Sequence, residues 1–189
     1  MDGGFLAFIG FGLMLGLSGI GSAIATGMTG SGVVGLLKKR PETFGSALVL
    51  AAVPSTQALY GFVGFIIFQG ALGTGHIDVS KGSIALGAGL ALGLVCFLSA
   101  IFQAKVSCSG ISAIASGHDV FGNTLILIAF PEFFAILSLV SAIMISQMIT
   151  PDVAAAAVDT AVSAATAAVD TASEFIDTAS KYYDTSAAF

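Results

Sequence analysis

The chain has 189 residues, of which 56% are hydrophobic and only 9% are charged, with six basic and eleven acidic side chains. So little polar surface excludes a domain that encloses its core in water, and the balance of basic and acidic residues, with a net charge of -5, argues against the concentrated positive face that nucleic acid requires. The composition therefore predicts an all-α integral membrane protein.

Four apolar stretches follow one another along the chain, and each exceeds the roughly 20 residues that a helix needs to cross a bilayer. The breaks between them carry charged or turn-forming residues. We therefore predict a multi-pass protein of two hairpins, the first within residues 1–75 and the second within 76–150. The four stretches cover residues 5–36, 44–71, 83–115 and 121–149.

The first break contains Lys38, Lys39 and Arg40, which are three of the six basic residues. Because positively charged loops stay on the cytoplasmic side, this break is expected in the cytoplasm. Both termini would then lie outside the cell. We expect the location to be a bacterial plasma membrane.

The two hairpins resemble each other in sequence. Residues 44–48 (FGSAL) align with residues 121–125 (FGNTL), and Pro54 aligns with Pro131 at the same offset of 77 residues. A duplicated hairpin explains both matches.

Glycine is concentrated in the first and third stretches, whereas Phe, Ile and Leu dominate the second and fourth. Small residues let helices approach closely in lipid, so the asymmetry indicates an inner and an outer layer of helices. Generic close packing in a polytopic protein is the alternative. The glycines concerned are Gly10, Gly12, Gly16, Gly19, Gly21, Gly27 and Gly30 in the first stretch, and Gly87, Gly89 and Gly93 in the third.

After Pro151 the composition changes to Ala, Asp, Ser and Thr. Apolar residues recur there at alternating steps of four and three, which predicts an extra amphipathic helix within residues 151–189 that packs outside the membrane. The alternative is a weakly ordered, alanine-rich tail. The apolar positions are Val158, Val162, Ala165, Val169, Ala172, Ile176, Ala179 and Tyr183.

Three of the apolar stretches bring polar side chains to a common depth. Counted from the first and third breaks, Gln57, Gln103 and Glu132 all lie about 17 to 20 Å into the membrane. Thr56 adjoins Gln57, and the carbonyl of Val53 precedes a proline that disturbs helical hydrogen bonding. The pattern therefore predicts a polar site at mid-membrane.

A charged carboxylate at this depth costs about 3 kcal/mol or more unless it is protonated or paired with a cation. Neutral oxygens around a single carboxylate are the ligands that a hard cation prefers, and one negative charge suits a monovalent ion. A proton carrier would need Glu132 but neither glutamine. We therefore predict bound Na⁺, with H⁺ as the alternative. Alone, Gln57 or Gln103 would more often be an interhelical hydrogen bond, and Tyr60 a packing residue.

With these motifs in view, the chain resembles the proteolipid rotor subunit (K or c) of bacterial sodium-translocating V-type ATPases. The resemblance covers residues 5–149 and is strongest in PSTQALYGF at 54–62, QAKV at 103–106 and Glu132 with AIL at 135–137. Phe133 and Phe134 differ from the Thr and Tyr common in relatives, and the tail after residue 150 is outside the usual pattern.

The resemblance implies four transmembrane helices per subunit and a membrane ring of many copies. It also implies a stator a/I subunit, central-stalk subunits and lipid as partners, with no ATP chemistry in this chain. By motif, Glu132, Gln57, Gln103, Thr56 and the Val53 carbonyl would bind the transported ion, and Tyr60 would hold Glu132. The position equivalent to Glu132 in the first hairpin is Ser55, so one carboxylate per subunit is expected.

Two other functions compete with a sodium rotor. The first is the same rotor carrying protons, which the two glutamines argue against. The second is a channel-forming protein, in which polar side chains would spread along a helix face rather than gather at one depth.

Overall fold

The computed structural model describes residues 2–73 and 75–150, together with residues 159, 163, 166 and 170. Those four isolated residues are helical and exposed. The apolar positions of the predicted tail helix lie outside the described residues.

Four apolar helical spans are long enough to cross a bilayer, as the sequence predicted. The first is helix α1 (Gly3–Leu37), and the second comprises two helices, α2 (Phe44–Ala52) and α3 (Thr56–Leu72). The third is α4 (Val79–Ala115) and the fourth is α5 (Phe121–Ser146). No strand occurs among the residues described, which confirms the all-α class.

The predicted bounds hold to within a few residues, and the largest difference at a helix start is in α4. This helix begins at Val79, four residues before the predicted apolar stretch. The Asp78 side chain accepts a hydrogen bond from the backbone N–H of Lys81 at 2.9 Å. Such an N-cap satisfies an unpaired N–H group in the first turn, so the helix extends into a polar segment.

The second span is not one continuous helix. A 3₁₀ turn over Val53–Ser55 separates α2 from α3, because Pro54 lacks the N–H that a continuous helix needs. Two side chains of α1 hydrogen-bond the interrupted backbone: Thr29 donates to the Ala51 carbonyl at 2.9 Å, and Ser22 accepts from the Ala58 N–H at 2.9 Å. The equivalent Pro131 lies inside continuous α5.

Helices α1 and α4 form the most extensive packing contact among the described helices. A Cβ added to Gly10 would overlap the carbonyl of Ala85, and one added to Gly89 would overlap the carbonyl of Gly10. A Cβ on Gly21 would lie 2.7 Å from Cα of Phe97. At these positions only glycine permits the observed approach of the two backbones.

Several other glycines of α1 do not take part in this contact. A Cβ added to any of them would meet no described atom within 4 Å, so these glycines do not serve helix packing within the described part of the chain. Their spacing of 4, 3, 8 and 3 residues places them on one side of the helix. This open glycine face consists of Gly12, Gly16, Gly19, Gly27 and Gly30.

The two larger of three apolar clusters lie at opposite ends of the four spans, and a small alanine cluster joins α1 to α4 between them. One is centred on Met14, Phe68 and Leu92, and the other on Leu50 and Ile128. Between them, at the depth of the 3₁₀ turn, the contacts among α3, α4 and α5 include polar side chains. The fold therefore places a thin polar layer between two apolar regions.

Candidate ion-binding site

The proline of the second span positions two site residues. Because α3 starts at Thr56, directly after the 3₁₀ turn, Thr56 and Gln57 occupy its first turn and project toward α4 and α5. Val53 lies at the other end of the turn, where its carbonyl accepts from the N–H of Thr56. The carbonyl also lies 3.1 Å from the Thr56 hydroxyl, which places it at the edge of the site.

Glu132 is partly buried, and hydroxyl groups from α3 approach one of its carboxylate oxygens. Thr56 Oγ1 lies 3.0 Å and the Tyr60 hydroxyl 2.9 Å from Glu132 Oε1. Both can donate, so together they fix the orientation of the carboxylate. Since the Thr56 hydroxyl has one proton, it donates either to Glu132 or to the Val53 carbonyl at any moment.

Two fully buried glutamines complete the polar layer. Gln103 Nε2 lies 3.4 Å from Glu132 Oε2 and 3.4 Å from the Ile128 carbonyl. Gln57 Nε2 donates to Gln103 Oε1 at 2.8 Å. The structure therefore brings Thr56, Gln57, Tyr60 and Gln103 together with Glu132, although these residues come from three helices.

One buried polar atom of this cluster has no hydrogen-bond partner in the described part of the chain. It is Gln57 Oε1, on a side chain that is 0% exposed. A buried amide oxygen without a partner costs about 1 to 3 kcal/mol, so native proteins rarely leave one without a reason. A cation bound by this oxygen would supply the missing interaction.

No basic side chain neutralises Glu132 within residues 2–73 and 75–150. The salt bridge found there joins Arg40 to Glu42, and Lys105 lies with Nζ 4.9 Å from the centroid of the Phe102 ring. Nor do three or more His, Cys, Asp and Glu side chains in those ranges lie close enough together to hold a metal ion. An ion at this site would therefore be held by one carboxylate and neutral oxygens, which are ligands for a hard cation.

The sequence reasoning missed Ser99. This buried residue of α4 donates to the Pro131 carbonyl at 2.7 Å and lies 3.3 Å from Gln57 Nε2. A signal was available, because Ser99 precedes Gln103 by four residues and therefore shares its helix face.

Comparison with known proteins agrees with the two-hairpin architecture. The family of the ATP synthase C subunit matches residues 9–68 and again residues 86–145. The two matched segments start 77 residues apart, which is the offset of the internal repeat. In this register Ser55 is the counterpart of Glu132, and Ser22 is the counterpart of Ser99.

Three relatives each align with about two thirds or more of the chain. A-type ATP synthase subunit K of Methanocaldococcus jannaschii is 38% identical over 140 residues, which are 74% of this chain and 61% of that protein. V-type sodium ATPase subunit K of Enterococcus hirae is 40% identical over 129 residues, 68% of this chain and 81% of that protein. The human 16 kDa proteolipid of the V-type proton ATPase is 25% identical over 142 residues, 75% of this chain and 91% of that protein.

Proposed function

The chain belongs to the ATP synthase C subunit family, and from this premise we propose that it is a rotor subunit of a V-type or A-type rotary ATPase that carries Na⁺ across the membrane. It would contribute ion translocation and no ATP chemistry. Glu132 would bind the ion on one side of the membrane and release it on the other as the rotor turns.

The observation that carries this proposal is the buried Gln57 Oε1, which has no hydrogen-bond partner among the described residues and lies in the same polar cluster as Glu132. A protonated carboxylic acid is already neutral and needs one acceptor for its proton. A sodium ion needs several oxygens at once, because it leaves its hydration shell on entering the protein. A spare buried amide oxygen therefore favours the metal ion over the proton.

We assign the ion ligands as Glu132, Gln57, Gln103, Thr56 and the carbonyl of Val53. Tyr60 would hold the Glu132 carboxylate through its hydroxyl and stay outside the ligand shell. With the ion bound, the net charge of the cluster is zero, which removes the cost of moving a bare carboxylate past lipid. Loss of the ion would leave Glu132 charged and therefore require a polar path to water.

The degree of sequence identity to two relatives gives partial support for Na⁺ as the transported ion. The E. hirae protein, named a sodium ATPase subunit, is 40% identical, whereas the human proton ATPase proteolipid is 25% identical. Because a proton ATPase subunit is also among the relatives, a rotor that carries protons is the second candidate. The hydroxyl groups of Thr56 and Tyr60, which lie within hydrogen-bond distance of Glu132, would suit either ion.

Copies of this chain would assemble into a ring, with a stator subunit, central-stalk subunits and lipid as further partners. The open glycine face of α1 supports this assembly, because glycines that meet no other described residue permit close approach of another helix. Large apolar side chains on α5 point away from the chain, including Phe130 at 63% and Met144 at 66% exposed. They suit lipid or a neighbouring subunit.

We place the subunit in a bacterial plasma membrane with both termini outside.

The test is the rate at which a hydrophobic carbodiimide labels Glu132 in the purified assembly, measured with and without Na⁺ across a range of pH values. Labelling requires a protonated, unoccupied carboxyl group, so Na⁺ should slow it in a saturable manner while K⁺ at the same ionic strength should not. The Glu132→Gln variant gives the background from other carboxylates.

Each outcome decides between the two candidates. Saturable protection by Na⁺ that weakens as the pH falls supports sodium, because protons and Na⁺ would compete for one carboxylate. Labelling that depends on pH and is unaffected by Na⁺ contradicts the sodium proposal and favours the proton rotor.

A further inference from the structure

The polar layer contains a chain of hydrogen bonds whose direction is set most firmly at its Ser99 end. At one end is the Pro131 carbonyl, which can only accept, so Ser99 must donate its single proton to it at 2.7 Å. The Ser99 oxygen then faces Gln57 as an acceptor. Gln57 must therefore turn its Nε2 group toward Ser99, at 3.3 Å.

The other end of this hydrogen-bond chain gives the same direction firmly only while Glu132 is ionised. Gln103 Nε2 faces two acceptors, the Ile128 carbonyl and Glu132 Oε2, so Gln103 Oε1 is left to accept from Gln57. If Glu132 carries a proton, however, its hydroxyl can donate to a reversed Gln103. When Glu132 is protonated, only the Ile128 carbonyl at this end still favours the observed orientation of Gln103.

Reversal of both amides would remove the ion site. Gln103 Nε2 would then donate to Gln57 Oε1, and Gln57 would present an amide N–H group where an ion needs an oxygen. Two contacts oppose this state irrespective of the charge on Glu132. The Ile128 carbonyl would face the oxygen of a reversed Gln103, and a reversed Gln57 would bring its oxygen against the Ser99 oxygen, which could donate to it only by giving up its own acceptor on α5.

We propose that Ser99 is a positioning residue that keeps Gln57 Oε1 directed at the transported ion and thereby sets the affinity for Na⁺. Ser99 does not touch the ion; it acts through Gln57. This inference rests on the proposed function, because it requires that Na⁺ binds among these residues. It identifies a specificity determinant outside the predicted ligand set.

The test compares two variants of nearly equal shape, Ser99→Thr and Ser99→Val. Threonine keeps the hydroxyl group and valine replaces it by a methyl group, so any common effect of the larger side chain appears in both. An apolar groove of about 530 Å³ beside Ser99 gives the added carbon atoms room. Ser107→Ala is the matched control, because Ser107 is a buried serine of the same helix whose Oγ has no partner in the described part of the chain.

The measured quantity is the Na⁺ concentration that halves carbodiimide labelling of Glu132 at one pH. We expect Ser99→Val to raise it roughly tenfold or more, as a lost buried hydrogen bond would. Ser99→Thr and Ser107→Ala should stay within about threefold of the unmodified protein, a difference below that of one net hydrogen bond. Valine also loses the bond to the Pro131 carbonyl, so its assembly should be somewhat less stable than that of threonine. The sodium-free labelling rate should not separate Val from Thr, whereas a purely structural role would separate them there.

Three results overturn the inference. One is equal Na⁺ affinity in the Val and Thr variants. Another is a Val variant that loses stability in proportion to its loss of affinity, or that fails to assemble where the Thr variant assembles. The third is a lack of Na⁺ protection of Glu132 in the unmodified protein, in which case the proposed sodium function fails together with this inference. If Na⁺ protects the unmodified protein and Ser99→Val needs the same Na⁺ concentration for half-protection, only the inference fails.

Discussion

Glu132 has no cationic partner among the described residues, and its immediate surroundings are hydroxyl and amide groups from α3 and α4. In a low-dielectric layer such a carboxylate attracts any small cation that the surrounding oxygens can accommodate. The chemistry of the site therefore depends on how many oxygens it can offer and on which way its amides point.

The residue-scale prediction concerns Gln57. Replacing it by leucine keeps a similar volume but removes the amide oxygen that has no partner among the described residues. We therefore expect the Na⁺ concentration for half-protection of Glu132 to rise about 10- to 100-fold, the range for a lost hydrogen-bond-like contact to a charge. Carbodiimide labelling as a function of Na⁺ measures this. Gln69→Leu, at an exposed position of the same helix, should leave the affinity unchanged.

An unchanged Na⁺ affinity in Gln57→Leu would exclude Gln57 from the ligand set. A loss of assembly in both leucine variants would instead indicate that α3 does not tolerate the exchange.

At the scale of the helical elements, the two hairpins use the same sequence pattern in different ways. The prolines at equivalent positions produce a 3₁₀ turn in the second span and none in the fourth. The serines at equivalent positions also differ, because Ser22 accepts from a backbone N–H of α3 whereas Ser99 donates to a carbonyl of α5. Duplication thus gave one hairpin a structural interruption and the other the carboxylate.

The element-scale prediction tests the contact between α1 and α4. Gly89→Ala would place a methyl group against the backbone of Gly10, where Cα would be 2.8 Å away, so we expect a loss of about 1 to 3 kcal/mol in stability. Gly87→Ala, two residues earlier on the exposed side, meets nothing within 4 Å. Thermal unfolding in detergent, followed by helical circular dichroism, compares the two variants.

The expected order is a lower midpoint for Gly89→Ala and a midpoint for Gly87→Ala close to that of the unmodified protein. Equal midpoints would show that the close approach of α1 and α4 is not required.

For the whole molecule, the prediction concerns assembly through the open glycine face. Gly19→Leu should leave the fold of one chain intact, because no atom of the described residues lies within 4 Å of the added Cβ, but should block close approach of a second copy. The readout is the size of the purified complex by native electrophoresis or light scattering. Gly122→Leu, an exposed glycine at the start of α5 with the same open surroundings, is the control.

We expect smaller species for Gly19→Leu and complexes of normal size for Gly122→Leu. Normal assembly of Gly19→Leu would show that copies meet through a different face of the chain.

The sequence by itself determined the membrane class, the four spans and the repeat, because length, hydropathy and turn residues act locally along the chain. It also placed Glu132, Gln57 and Gln103 at one depth, since helical rise converts residue number directly into depth.

Only the tertiary structure decided which glycines of α1 contact α4 and which remain open, since that depends on how far each helix is rotated about its axis. It likewise decided the direction of the hydrogen bonds through Ser99, Gln57 and Gln103. An amide presents either its oxygen or its nitrogen, and the choice depends on acceptors from another helix, here the Pro131 and Ile128 carbonyls, which no local pattern in the sequence identifies.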